Sequence, residues 1–451
     1  MLSRRLLTRA LGVEATTVRV EGCELVNGEV LVRLRPRVRH RWCCPACGRR
    51  RAGYDPGRPR RWRGLDLGRT QVYVVATVPR IQCPVHGVLV AAVPWARPGA
   101  RHTRAFEQLA AWCAVEMSAT AASRLLRCSW RTIGAMVTRV AADLSAGDDG
   151  LDGLRRIGID EISYRRHHRY LLVVVDHDRR RLVYAVDGAN KTTLQGFFDV
   201  LGPDRTADLT HVSADGAPWL GSVVRLRAPQ ATLCADPFHI VRWAMDALDD
   251  VRRDTWNEVR DRQRRGRKAT GEGKQLKDAR WSLWKNPENL SPAELTRLAY
   301  VAATHPRLHR AWALQEGLRT VFTASGQPAV EALDRWLSWA RRCRIEPFVR
   351  LAGRLGAYRA AIVATLIHGL TNALVESVNT KIRLIARRAF GFRNVHALIA
   401  LARLSLGGYR PAAHMNVRRA PIGYHGPLEA TKGTPSGSRD AQVRGGAPPG
   451  T

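Results

Sequence analysis

The chain has 451 residues, and its 73 Lys and Arg outnumber 39 Asp and Glu to give a formal charge of +34 and a pI near 11.2. An excess of that size is far beyond what solubility requires and points to a polyanionic partner, with nucleic acid foremost; a GC-rich genome explains part of the Arg content but not its clustering. No run of about 18 apolar residues occurs, and "MLSRRLLTRALG" is broken by Arg too often for a signal peptide, so a membrane span and secretion are excluded and a cytoplasmic, nucleoid-associated protein is expected.

Length divided by about 150 suggests roughly three domains. Nine Cys, an odd number, argue against a disulfide framework and direct attention to metal-ligand spacing. The first of these domains is expected over residues 1–95, as a β and zinc-binding module. Short apolar stretches in "VRVEGCELVNGEVLVRLRP" predict a hairpin turning at "NG". Cys44-x-x-Cys47 and Cys83-x-x-His86 then form two half-sites separated by an Arg-rich loop, 48–82. Two such turns complete a closed tetrahedral zinc site, which leaves no open position for chemistry. The site therefore holds a fold together and displays Arg49, Arg50, Arg60 and Arg61 to phosphates.

Residues 100–147 turn helical. "MSATAASRLLRCSWRTIGAMVTRVAADL" predicts a helix-turn-helix whose second helix is capped by Ser129. Ile133, Met136, Val137 and Val140 face its core, while Trp130, Arg131 and Arg139 are offered to double-stranded DNA. An ordinary helical hairpin fits the same pattern, and the adjacent zinc module tips the reading to DNA.

From 155 to 244 strands and helices alternate: three opening strands over 156–188, a helix at "KTTLQGFFDVL", strand "LTHVSAD", helix "PWLGSVVRL", strand "ATLCAD", and a helix from "PFHIV". Residues 245–362 lose strand character and read as an all-α insertion containing six Trp, each more readily core than a base-stacking platform. Residues 363–410 return with a helix over about Asn372–Arg388 and another at "NVHALIALARLSLG". The Gly- and Pro-rich tail, 411–451, is expected to be disordered.

Three acids stand out. Asp160 interrupts an apolar strand, Asp215 closes another just before Gly216, and Glu376 lies off the apolar stripe of its helix, on a face shared with Asn379, Arg383 and Arg387. If Asp160 and Asp215 meet about 4 Å apart, they repel by roughly 4 kcal/mol at an effective dielectric near 20. A hard divalent cation, Mg²⁺ or Mn²⁺, offsets that and leaves positions open for phosphate and water.

The series "GIDE", "HHRYLLVVVD", "VSADG", "CADPFHIVRWAMDALDDVR" and "LTNALVESVNTKIRLIARRAFGFRN", behind the zinc module and helix-turn-helix, resembles bacterial insertion-sequence transposases of the ISL-three family. The likeness runs to about Arg410, and "ESVNTKIRLIARRAFGFRN" is its most specific piece. It implies a multidomain α/β protein with an RNase H-like catalytic domain of the Asp-Asp-Glu type, split by a helical insertion. Asp160, Asp215 and Glu376 become first, second and third acids. His86 departs from the family's usual Cys, which zinc tolerates. Asp236 rivals Asp215, but strand order favours Asp215; Asp236 and His239 then resemble a supporting Asp-x-x-His pair. Glu161 and Asp176 are expected no closer than the periphery of the site. The implied activity is binding of terminal inverted repeats with metal-dependent strand cleavage and transfer, by a homodimer or higher assembly on DNA. The alternative is an inactive zinc-containing DNA-binding derivative.

Overall fold

In the computed structural model the described residues are 4–165, 169–265 and 271–408. The expected tail, 411–451, lies outside them.

Helix α1 (Arg4–Ala10), unanticipated in the sequence reading, precedes a five-stranded sheet of β1 (Val18–Val26), β2 (Glu29–Pro36), β3 (Ala52–Arg63), β4 (Val72–Cys83) and β5 (Gly87–Val90). The order is β1-β2-β4-β3, with β5 also paired to β4. Asn27 and Gly28, at φ +51° and +77°, make the "NG" turn, because both central residues of such a hairpin need positive φ. The segment read as a loop between the metal half-sites is in fact the antiparallel β3–β4 pair. Pro56, Gly57 and Pro59 disguise it. As the sheet's edge strand, β3 tolerates prolines that lack an N–H. Gly57 sits at a register shift with φ +71°, where a Cβ would lie 1.9 Å from the Val78 carbonyl oxygen.

Helices α2 (Arg104–Glu116), α3 (Ala119–Leu126) and α4 (Trp130–Gly147) follow. The α3–α4 pair is the expected helix-turn-helix. The hydroxyls of Ser118 and Ser129 cap its helices by accepting from Ala121 and Thr132 N–H groups at 3.2 Å, and Arg127 turns the chain at φ +51°. Ile133, Met136, Val137 and Val140 are buried, as expected.

A second sheet contains β6 (Arg156–Arg165), β7 (Arg169–Asp176), β8 (Arg181–Asp187), β9 (His211–Ala214) and β10 (Thr232–Ala235), interleaved with α5 (Lys191–Leu201), α6 (Pro203–Ala207) and α7 (Pro218–Arg227). Its order is β10-β9-β6-β7-β8. The β6–β7–β8 meander is antiparallel, whereas β9 and β10 run parallel to β6. Alternation of side chains along β6 divides the core. Ile157 and Ile159 pack with α5 and α7 residues such as Phe197 and Leu220, and Ile162 packs on the opposite face with Val375, Val378 and Leu398.

From Pro237 to His368 no described residue is in a strand. Helices α8 (Pro237–Arg264), α9 (Glu272–Asp278), α10 (Arg280–Trp284), α11 (Pro292–Thr304), α12 (Pro306–Val321), α13 (Gly326–Arg342), α14 (Glu346–Ala357) and α15 (Arg359–His368) fill this stretch. The boundaries expected at 244/245 and 362/363 fall inside α8 and α15. Trp336 is buried and Trp256, Trp284 and Trp312 pack against the same core; Trp281 and Trp339 remain exposed. Helices α16 (Ala373–Arg388) and α17 (Val395–Leu406) end the described chain. Leu398 of α17 lies on the second sheet while Leu401 and Leu404 join the core of α2 and α4. Among the described residues no single helix is long and apolar enough to cross a membrane.

Candidate active site

Asp160 and Ser213 lie on the face of the second sheet that α16 covers, and Asp215 follows two residues after Ser213, at the end of β9. The α16 backbone comes close because Gly158 has no side chain: a Cβ there would meet Val375 Cγ2 at 2.4 Å, His177 Nε2 at 2.7 Å and Ser213 Oγ at 3.0 Å. One consequence is a direct bond between strand and helix, Asn379 Nδ2 donating to Asp160 Oδ2 at 2.8 Å. The other Asp160 oxygen accepts from the Glu161 N–H at 2.8 Å. Glu376 stands one helical turn before Asn379 on the same face and is exposed.

Burial, with the Asp215 and Asp236 charges adding to it, pushes the Asp160 carboxyl up to about 6, although the Glu161 N–H and His239 pull the other way. Burial and then the charges of Asp215 and Asp160 raise Glu161 to about 7, so Glu161 belongs to this acid field more closely than expected. Asp176 does not. It is buried at the opposite end of the β6–β7 pair, opposite Ile157, and accepts from the Asp178 and Arg179 N–H groups at 2.9 and 3.1 Å.

Asp236 and His239 do form a pair, Oδ2 to Nδ1 at 2.8 Å. That bond, and beyond it the charges of Asp215, Asp236 and Asp160, holds the imidazole above its ordinary pKa. Sequence reasoning missed what connects the pair to the strands. Asn372, buried just before α16, donates its N–H to Asp236 Oδ1 at 3.3 Å and its Nδ2 to the Ile159 carbonyl at 3.3 Å. Its Oδ1 accepts from Ser213 Oγ at 2.5 Å, and Ser213 is bonded in turn to His177 Nε2 at 2.8 Å. No local signal marks these residues, since their partners are distant in sequence.

The helical region also reaches the site. A Cβ on Gly216, beside Asp215, would lie 2.2 Å from the Trp243 ring, and Tyr358 donates its hydroxyl to the Gly216 carbonyl at 3.1 Å. Asp215 itself accepts from the Ala217 N–H at 2.9 Å.

The zinc ligands converge as expected. The ligand atoms of Cys44, Cys47, Cys83 and His86 all lie within 4.8 Å of one another. Separations of 3.7 Å for Cys44–His86, 4.0 Å for Cys47–Cys83 and 3.4 Å for Cys83–His86 match the edge of about 3.8 Å of a sulfur tetrahedron with 2.3 Å bonds. Burial pushes the Cys83 thiol up, but bonds from His86 and the Val85 and His86 backbone outweigh it and hold it at about 6. Three thiols and one imidazole in this arrangement suit structural zinc.

Residues 157–402 match a family model described as a transposase, residues 91–141 the helix-turn-helix domain of transposase family ISL3, and residues 40–86 the zinc finger of transposases of IS204, IS1001, IS1096 and IS1165. The chain belongs to the ISL3 family of transposases. It is 50% identical over 432 residues to the transposase for insertion sequence element IS1557 in two strains of Mycobacterium tuberculosis, covering 91% of this chain and 97% of each relative. It is 26% identical over 401 residues to the transposase for IS1001 of Bordetella parapertussis, covering 87% of this chain and 96% of the relative. The Drosophila P element transposase strand transfer complex aligns at a TM-score of 0.35 and 11% identity, over 68% of this chain and 92% of that one.

The transposase's expected DNA contacts fare unevenly. Arg49, Arg50, Arg60, Arg61, Arg131, Arg383 and Arg387 are exposed, although Arg61 is partly engaged by Glu29 at 2.8 Å and lies 3.6 Å over the Tyr73 ring. Arg139 points inward instead. Its Nε donates to fully buried Glu107 at 2.8 Å, and Arg97 binds the other Glu107 oxygen at 3.0 Å. A buried carboxylate needs such partners, so Arg139 is committed to the helical core. Trp130 likewise packs on Phe392, with ring centroids 6.3 Å apart.

Proposed function

We propose that this transposase binds the terminal inverted repeats of its insertion sequence and cuts and joins DNA by divalent-metal-dependent phosphoryl transfer, using Asp160, Asp215 and Glu376. The observation that carries the reading is the Asn379–Asp160 bond. It ties the helix bearing Glu376 to the strand bearing Asp160 and leaves Asp215 within the electrostatic reach of both Asp160 and His239. Three antiparallel strands followed by two parallel ones, with the acids on the central pair and on a late helix, support an RNase H-like catalytic domain. The helices between β10 and α16 support an all-α insertion.

The donor set fits a hard cation. It is all oxygen, its half-buried acids Asp160 and Asp215 repel one another, and the buried Asn379 Oδ1 has no hydrogen-bond partner among the described residues. Mg²⁺ or Mn²⁺ held by Asp160, Asp215 and Glu376 would polarise phosphate oxygens and lower the pKa of an attacking water or 3′-hydroxyl. The chain's own work is positional. Asn379 fixes Asp160, Asn372 fixes Asp236, and the Trp243–Tyr358 wall fixes the turn after Asp215. Arg383 and Arg387, on successive turns beyond Glu376, would hold the DNA backbone. Two element ends must be joined, which calls for a homodimer or larger assembly.

The test is incubation of the purified protein with Mg²⁺ or Mn²⁺ on labelled DNA carrying the element's ends. Cleavage is expected in the wild type and absent in Asp160→Asn, Asp215→Asn and Glu376→Gln, with Asp236→Asn only weakened. End-specific binding without cleavage in every protein would replace this reading with that of an inactive DNA-binding derivative.

A further inference from the structure

At the end of α16 remote from its acids, the chain turns through Phe390. Its φ is +55° and its side chain is 86% exposed. An aromatic at positive φ is strained, and exposing it forfeits burial, so packing does not account for its place here. Two residues later Phe392 turns back under Trp130. Between these rings and the end of β6 opens a cleft of about 680 Å³, lined by Arg131, Arg165 and Arg393 and, among the described residues, by no carboxylate. Its volume lies in the range of small-ligand sites, yet its charge is wholly positive. One wall is the second helix of the helix-turn-helix and another is the turn that follows the helix carrying Glu376. At 1.5 Å per residue along α16, the cleft is roughly 15 Å from Asp160.

We propose that this cleft receives one unpaired nucleotide of bound DNA, its base stacked on Phe390 and its flanking phosphates held by Arg131 and Arg393. The inference rests on the transposase reading above. A base inside a duplex cannot reach a side chain in this way and must leave the stack. A sequence-tolerant aromatic face beside arginines is the arrangement that holds such a base. The site also lies between the element that recognises DNA and the element that acts on it.

The experiment uses the full chain and two DNA probes of the same sequence, one fully paired and one carrying a single unpaired 2-aminopurine. Binding is measured by anisotropy at about 0.2 M salt, where non-specific attraction is weakened. The wild type is expected to prefer the bulged probe by about 5- to 100-fold and to quench its 2-aminopurine emission. Phe390→Ala should abolish both the preference and the quenching while binding paired DNA unchanged, and Phe390→Trp should keep them. Because the ring is exposed, Phe390→Ala should melt at the wild-type temperature. Equal affinity of the wild type for both probes, without quenching, overturns the proposal and leaves the transposase reading intact. Failure to bind either probe overturns both. Unchanged discrimination in Phe390→Ala, with a change in its sedimentation mass, would assign the turn to a protein contact and also overturn the proposal.

Discussion

Asn379 on α16 donates to Asp160 on β6 at 2.8 Å across 219 positions of sequence. This bond joins the strand that carries Asp160 directly to the helix that carries Glu376, so it helps to set how far apart those two acids stand. Asn379→Ala should lower DNA cleavage by about 10- to 100-fold, the usual cost of removing a partner that orients a ligand. DNA affinity should be unaffected. The check is a pair of measurements on one preparation, cleavage rate at saturating Mn²⁺ and binding by anisotropy. A loss confined to binding would show that Asn379 does not position Asp160.

Gly158 is predicted to be intolerant for a related reason. Alanine there would drive its Cβ to 2.4 Å from Val375 Cγ2, and either α16 lifts or the sheet distorts. Overpacking of this kind costs about 1–3 kcal/mol, read as a shift in urea midpoint, and cleavage should fall with it. Val375→Ala removes the obstructing methyl groups, so the double variant Gly158→Ala, Val375→Ala should recover part of the cleavage lost in the single one. No recovery would mean that His177 and Ser213 are the decisive obstruction.

How much of this was legible follows from the range of each interaction. Strands β6 to β10, with Asp160 within β6 and Asp215 just beyond β9, could be read because periodicity and strand-end punctuation are local, and the clustering of the four Cys and His residues because their spacing is. Strand β3 was hidden by prolines and glycine that only its edge position makes acceptable. Arg139 looked like a DNA contact because it lies on the second helix of a helix-turn-helix. Its partner, Glu107, is 32 residues earlier, and the hint was an acid set among the apolar residues in the first turn of the helix "RAFEQLAAWCAVE". Asn372 was invisible as a hub, since its bonds reach back to Asp236, Ser213 and Ile159.

Zinc removal should act on the N-terminal module alone. Cys44 and Cys83 are buried among Val32, Val74 and Ile81, so loss of the ion leaves thiolates and thiols that the small core cannot hold together. A strong chelator should expose three further thiols to Ellman's reagent and lower DNA affinity at least tenfold, by releasing the arginines of β3 and its flanking turn. Cys47→Ser should reproduce the affinity loss without chelator. Unchanged thiol reactivity under chelation would show that the four residues hold no metal.

Two half-buried histidines contribute to the acid sensitivity of the fold. Burial, with the Arg139, Arg63 and Arg101 charges, lowers His102 to about 4. Burial, with Arg156, lowers His177 to about 4 against the weaker pull of Asp178 and Asp176. Each is neutral when folded at neutral pH and regains an ordinary pKa near 6.5 when unfolded. Between those values each of these histidines binds more protons in the unfolded chain, so its contribution to stability falls as pH drops from about 6.5 to 4 and is constant outside that window, opposed there by Asp160 and Glu161, whose raised pKa values act with the other sign. After allowance for their partial exposure to solvent, each contributes on the order of 1 kcal/mol. His177→Gln retains a hydrogen-bonding group for Ser213 without the titration, so its urea midpoint should be less sensitive to pH across this range than that of the wild type. Parallel curves would show that His177 is not protonated on unfolding, and the histidine part of the acid sensitivity would then rest on His102.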